Sequence, residues 1–545
     1  MTVHRWVCGF ALAALLLLGA LVLEHLTSGL TFWADEWEWI LHRRGSSLAT
    51  YLAPHNPHLS LVPIAIYKAL FAIVGLRHYW PYRALLIADQ LLCVTLVFIY
   101  ARRRVGAYVA VLAAAMIMFF GPGWQDLLWT FQIGWLTPVA AGVGALLLLD
   151  RRDRRGDIGA CALLIVGLAS AGPALAVAVG VLVDVIQRRR PRDLWIPGVP
   201  IALYALWAVF YETSSLDIHA VPRLPAFVLH AAAGVFSSLA GVAAINVSTG
   251  NGAFISRGIP ILIIAVALGV WRLVRLRRIP ARVVTLAVIP LAFWVITGAS
   301  RAYIAVNGMV FSFPSNASRY LYIGAVFVVL LAVELLRGWR PSLPVAAVLG
   351  LAVAATLVPN LGTLHDGSTF LHQATDQTEG ALAGLQISQR IVAPTFVSNG
   401  FIFGILTAGP WFSAEHELGS AAVIPGPIPK LDPNARQAAD GQLIRIQGLA
   451  VRPHPAGRTA PGCLPVPAGT RLLTLPPTGM TVRAGTRPVT VGVVRFAPSV
   501  TPLGRLPADE LTPMSVRADL SATPWRVRLS SSAPFAVCRG AAPGA

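Results

Sequence analysis

Charge is scarce in this 545-residue chain: only 12% of residues carry one, and lysine occurs at Lys68 and Lys430 alone. Set against 56% hydrophobic residues and a mean hydropathy of +0.67, that scarcity excludes a soluble fold, which could not hide so much apolar surface. Acidic residues number 24 against 43 basic ones, a formal charge of +19. In a soluble chain this excess points to nucleic acid. Here the arginines sit in short loops between apolar runs, the positive-inside pattern of a polytopic membrane protein, and no nucleic-acid partner is expected. The chain has no Walker loop, no His-Glu-x-x-His and no glycine-rich nucleotide fingerprint, which argues against nucleotide-driven transport. Cysteine is limited to five. Cys8, Cys93 and Cys161 fall in apolar runs, so Cys463 and Cys538 are the pair expected to form a disulfide in an oxidising compartment; two unrelated buried thiols are the alternative.

What is present is a series of apolar segments. The stretch Val7 to Leu26 is long enough to cross a bilayer, and no small-x-small cleavage site precedes the charged residues after it, so it reads as an anchor with its N-terminus in the cytoplasm. Basic loops at Arg102–Arg104, Arg151–Arg155, Arg188–Arg192, Arg272–Arg282 and Arg337–Arg340 are assigned to the cytoplasmic face of the plasma membrane. Segments near 105–120, 136–149, 194–211, 259–273, 281–298, 320–336 and 342–358 alternate between them. The stretch 158–187 reads as two short helices meeting at Gly172-Pro173. If 59–76 and 84–100 both crossed fully, Arg102–Arg104 would fall outside, so 59–76 is expected to be partial or interfacial, or the charge rule fails at that loop. The total is about eleven to thirteen segments.

The fold class is therefore an α-helical polytopic membrane protein with a small extracytoplasmic C-terminal β domain. The division expected is a transmembrane domain over 1–358, a juxtamembrane helical linker over 359–394 and a β-rich domain over 395–545. The alternating stretches Val489–Phe496 and Pro524–Leu529 carry the β reading.

Four outward groups have the residue types of a site. Asp35 and Glu36 lie in a tryptophan-rich stretch with Trp33 and Trp37; being adjacent, the two acids diverge, and only one can face a given site. Such acids serve as a general base or hold a divalent cation, Mg2+ or Mn2+, and equally suit an interfacial aromatic belt facing water. His55 and His58, three apart, suit metal binding or proton guidance, or mark a helix entrance. Trp124, Gln125, Asp126, Trp129 and Gln132 suit a sugar, with Gln125, Trp129 and Gln132 expected on one helical face, or else a plain interface helix. Arg319-Tyr320 offers a bidentate fork to phosphate, or an anchor that snorkels to headgroups, with Arg301 and Arg257 in weaker context. Asp184 and Glu334 are expected to pair with Arg188 and Arg337 across one helical turn, which leaves Asp89 for an ion or proton path.

The order of these groups resembles the C-type membrane glycosyltransferases, in particular bacterial relatives of protein O-mannosyltransferases and aminoarabinose transferases. Asp35-Glu36 matches the family's acidic pair and Arg319-Tyr320 its late Arg-Tyr, while His55 to Leu59 departs from the usual His-Pro-Pro-Leu. The resemblance covers roughly the first 340 residues. It implies a polyprenyl-phosphate sugar donor and a cell-envelope glycan, lipid or protein acceptor at the outer face, with Asp35 as base and Arg319 at the lipid phosphate. Two readings compete: a transporter or flippase for a lipid-linked or small polar substrate, and a non-catalytic envelope assembly protein.

Overall fold

The computed structural model describes residues 2–56, 58–189, 191–211, 217–243, 247, 255–306, 309–398, 406–455 and 462–540; Pro57 and Arg190 lie outside them. Among the described residues nine helices are long and apolar enough to cross a bilayer, and the bent pair Ala107–Met118 and Gly121–Leu128 adds a tenth. Leu61–Ile73 and Pro173–Gln187 are shorter apolar helices. The chain divides into two compact units, Met1–Gly29 with Arg43–Leu70 and Trp80–Phe370, and Leu30–His42 with Phe71–Tyr79 and Leu371–Ala545.

In the first unit the arginine loops gather at one end of the helices. Arg104 bonds Asp150 at 2.8 Å and also pairs with Glu334; Arg282 bonds Asp150 at 2.7 Å and approaches Asp184 at 3.6 Å. Asp184 and Glu334 additionally hold Arg188 and Arg337 one turn away, as their spacing predicts. Five loops distant in sequence thus share one network of charges.

The opposite end collects the other turns. The break expected inside 158–187 separates Arg154–Leu168 from Pro173–Gln187. Leu61–Ile73 spans roughly 20 Å at 1.5 Å per residue, short of a ~30 Å hydrocarbon core. Val62 N–H donates to Ala169 O and Tyr67 bonds Thr130, while Arg83, early in the next long helix, meets Glu24 and Thr27. This segment therefore enters and leaves at the same end, which keeps Arg102–Arg104 with the other arginines.

One apolar helix of the first unit was not anticipated. Leu224–Leu239 begins where Ala220 and Phe227 pack with Ala302 and ends where Asn360 Nδ2 reaches Ser238 O. Gly241, just beyond, approaches Thr356 closely. Both ends sit away from the arginine cluster. The last span also differs from its expected end at 358: Leu343–Ile387 is one helix of 45 residues that continues through Pro359 and carries the boundary between the units at 370/371.

The second unit combines helices and two antiparallel sheets. After a separate hairpin in the first unit, β1 (Ile304–Val306) and β2 (Met309–Phe311), the strands are β3 (His454–Pro455), β4 (Cys463–Val466), β5 (Gly469–Thr474), β6 (Met480–Arg483), β7 (Val489–Val494), β8 (Thr501–Leu506), β9 (Glu510–Met514), β10 (Arg526–Ser531) and β11 (Phe535–Arg539). They form sheets of order β5-β10-β7-β8 and β3-β9-β6-β11-β4. Val489, Val491, Val493, Val527 and Leu529 are buried in a shared core, whereas Arg526 and Arg528 face out, the period-2 pattern of a strand with one covered face. Cys463 and Cys538 stand opposite each other on β4 and β11 and form the expected disulfide.

Helix Pro433–Gln447 packs on this core. Asp432 caps its start by accepting from Asn434 N–H, Pro433 occupies the first turn, and Gly448 closes it at φ +67°. From mid-helix, buried Asp440 accepts the N–H groups of Arg495, Phe496 and Ala497 at the end of β7. The N-terminal pieces join the same unit: Thr31 bonds Ala422 O and Thr375, and Leu76 exchanges backbone bonds with Leu418 and Ala422. The second unit is therefore not the linear 395–545 segment, and its β-sheet begins at 454.

Candidate functional site

Polar and aromatic groups converge in the first unit at the end away from the arginine cluster. The Gly121-Pro122-Gly123 turn leads into a helix of one turn, Trp124–Leu128. Gln125 N–H is held by Ser318 Oγ at 3.1 Å, which ties that turn to the start of helix Ser318–Leu335. Asp126 is consequently fully buried within the field of Arg319, and neither of its carboxylate oxygens has a hydrogen-bond partner among the described residues. The same is true of the amide atoms of buried Gln132. Buried polar atoms are rarely left unmatched, because each costs about 1–3 kcal/mol.

The single helical face expected for Gln125, Trp129 and Gln132 does not form. Trp129 is extended, at φ −103° and ψ 117°, and Thr130–Gln132 make a separate 3-10 turn. Trp129 stacks on Phe131 at 4.9 Å, so ring packing outweighs helical continuity across these residues.

Three further groups surround them. His55 and His58 exchange backbone hydrogen bonds at 3.0 and 3.1 Å, a tight turn in which Asn56 takes φ +50°. His55 lies 5.2 Å from Phe131, and a Cβ at Gly172 would come within 2.6 Å of the His58 ring, so the glycine in the helix break makes room for this histidine. Arg301 and Arg319 both lie against Phe313, at 5.4 and 5.9 Å from its centroid, and Arg319 also lies over Tyr320. The Arg301 guanidinium has no ion-pair or hydrogen-bond partner among the described residues. Burial first, then Arg301, His55 and Arg319, push the pKa of His58 down to about 3. The imidazole is therefore neutral at physiological pH.

One residue of this cluster went unnoticed in the sequence. Trp135, half-buried, lies 6.4 Å from His58 and 5.8 Å from Tyr320, while Phe313, at the head of the Arg319-Tyr320 stretch, joins the two arginines. Trp135 follows Gln132 by three residues, and that continuation of the aromatic-amide pattern was its signal. Asp89, by contrast, accepts a 2.8 Å bond from Thr137, which gives it a local partner.

The acidic pair belongs to the second unit. Ala34 adopts φ +49°, a left-handed conformation that costs a non-glycine residue of order 1–3 kcal/mol, and the turn it makes sends the two acids apart. Glu36 is fully buried, accepting from Trp33 N–H at 2.9 Å and from the Tyr79 hydroxyl at 3.2 Å. Its carboxylate is engaged in holding the turn, which removes it from the catalytic pair expected with Asp35. Asp35 is half-buried and its carboxylate has no partner among the described residues.

Two tryptophans of these groups are packing residues. Trp37 is fully buried between Phe32 and Trp411, and Trp124 is fully buried against Phe370 and Gly367. Trp33 is 7% exposed and Trp129 3% exposed, so neither presents an open face. Among the described residues no three of His, Cys, Asp and Glu come together as metal ligands. With Glu36 turned to Trp33 and Tyr79, the divalent-cation reading of the acidic pair does not fit.

The helices suit a multi-pass membrane protein, and the polar cluster at one end of the first unit is its best-formed candidate site. No family model matches the chain, and no curated protein or solved structure matches it.

Proposed function

We propose that the chain is a membrane glycosyltransferase of the C type, moving a sugar from a polyprenyl-phosphate donor to a cell-envelope acceptor on the extracytoplasmic face. The observation that carries this reading is the grouping of Arg301 and Arg319 around Phe313 beside a buried, unmatched Asp126. Two guanidinium forks suit the phosphate of a lipid carrier, whose negative charge grows as the sugar leaves. Gln132 and Asp126 offer unmatched acceptors and donors to sugar hydroxyls. Neutral His58 accepts or relays a proton. The base toward the acceptor hydroxyl is the one that the resemblance implies, Asp35, half-buried and without a carboxylate partner among the described residues.

The test is transfer from synthetic short-chain polyprenyl-phosphate sugars, mannose, arabinose and glucose among them, to an envelope fraction. Arg319→Ala is expected to lower transfer about 10²–10³-fold, the usual effect of removing one stabiliser of developing negative charge. Undiminished transfer in Arg319→Ala would remove the basis of the assignment.

A transporter or flippase is the second reading, favoured by the broken segments at Gly121–Gln132 and Ala169–Gly172. Movement of the lipid-linked sugar across proteoliposomes, without covalent transfer, would select it.

A further inference from the structure

Within the second unit, the 371–387 part of the long helix crosses helix Pro433–Gln447 at unusually close range. A Cβ at Gly380 would lie 1.9 Å from Ala435 O, and one at Gly384 would touch Ala439 O and Gln442. Glycine at these two positions lets the backbones meet. Beside the crossing the helices line an open surface cleft of ≈ 520 Å³, within the range of small-ligand sites.

Its walls have a distinctive composition. Gln373 and Gln377, four residues apart on one helix face, oppose Asn434, Gln437 and Gln442 on one face of the other. Ala381, Ala438 and Gly441 supply small surfaces between them, and among the described residues none that lines the cleft is charged. On the second helix the carboxamides are held in place: Gln442 donates to Ser398, Asn434 donates to Asp376, and Gln437 donates to Thr501 while accepting from Ser499. Gln373 and Gln377 have no partner among the described residues.

We infer that this cleft binds a neutral, polyhydroxylated ligand, a sugar residue of a glycan. Each carboxamide carries two donors and an acceptor, and each sugar hydroxyl both donates and accepts, so five amides can match several hydroxyls without any charge. A phosphate or nucleotide would find no cation here, and an acyl chain would leave the amides unmatched. An extended peptide is the less suitable occupant, because the walls are helices with their backbone groups already satisfied and no sheet edge is available. The inference is independent of glycosyl transfer, since it concerns binding and involves none of the residues assigned to transfer.

The experiment is calorimetric titration of the full-length protein in detergent with neutral oligosaccharides: mannotriose, an arabinofuranose trisaccharide and maltotriose. At least one is expected to bind, and the double variant Q373L/Q377L is expected to weaken it tenfold or more while leaving the unfolding temperature unchanged, since neither side chain supports another group. Arg319→Ala should bind the same sugar as the parent, which separates failure of this cleft from failure of the transfer reading. Absence of binding to all three sugars, or binding that the double variant leaves intact, would overturn the inference, as would capture of an uncharged peptide in their place.

Discussion

At the scale of single residues, the first unit spends stability to hold polar groups that its own fold does not use. Asp126 and Gln132 are buried without side-chain hydrogen-bond partners among the described residues, and replacing Asp126 by Asn at similar size is expected to cost sugar transfer rather than stability. An unfolding temperature within a few degrees of the parent, alongside lost transfer, is the outcome to look for. His58 yields a pH prediction with a definite sign. Its pKa falls from 6.5 to about 3, so between those values the unfolded chain binds a proton that the folded chain refuses. Its contribution is complete above about pH 6.5 and is lost as the pH drops toward 3. Removing the imidazole, as in His58→Phe, should flatten the acid limb of the unfolding temperature measured against pH; an unchanged limb would assign that slope to other groups. Asp35→Asn, which keeps size and removes a base, is expected to abolish transfer with the fold intact.

At the scale of elements, the tie between helix Pro433–Gln447 and the sheets is concentrated in few contacts. Asp440 collects three backbone N–H groups, and Arg495, next to them, is held bidentately by Asp519 at 2.5 and 2.9 Å. Removing one member of a buried pair strands the other, so Asp519→Ala is expected to lower stability by about 3–5 kcal/mol, read by chemical denaturation of the second unit. Cys538→Ser should cost about 2–4 kcal/mol by freeing a 75-residue loop. Much of this level was legible in the sequence. The helix break at Gly172-Pro173, the ion pairs of Asp184 and Glu334 and the alternation of β7 and β10 follow from local spacing, and the cysteine pair follows from the other three cysteines lying in apolar runs. Helix Pro433–Gln447 was readable too, from Asp-Pro at its start and Gly at its end, yet went unread beside the Pro- and Gly-rich strands. Leu224–Leu239 went unread as well. The engagement of Glu36 was not legible, because its partner Tyr79 is 43 residues away.

At the scale of the whole molecule, charge organises the first unit. Arg104, Asp150, Arg282, Asp184 and Glu334 join loops scattered over more than 200 residues. Arg282→Ala is expected to destabilise that unit by about 3–5 kcal/mol, because Asp150 and Asp184 lose a common partner. Cysteines introduced at Arg152 and at Ile218 should react with an impermeant thiol reagent from opposite sides of a sealed vesicle, the former from the cytoplasmic side; labelling of both from one side would contradict the alternation read from the arginines. What local pattern could not convey is that Leu30–His42 and Phe71–Tyr79 belong with the C-terminal half, since backbone bonds such as that from Leu76 to Leu418 leave no trace in either segment.

The charge network also dictates an order of assembly. During synthesis Arg104 emerges long before Glu334, and Asp184 before Arg282, so each early loop carries its charge uncompensated while later helices are still being made. Bare arginines are what retains a loop on the side where it is synthesised. Only when the 334–337 turn arrives is the last acid supplied, and charges that steered insertion are then neutralised against one another. A chain truncated ahead of Glu334 would keep the four earlier basic loops yet leave Arg104 with Asp150 and without its second acid, a mark by which membrane quality control could distinguish an incomplete bundle from a complete one.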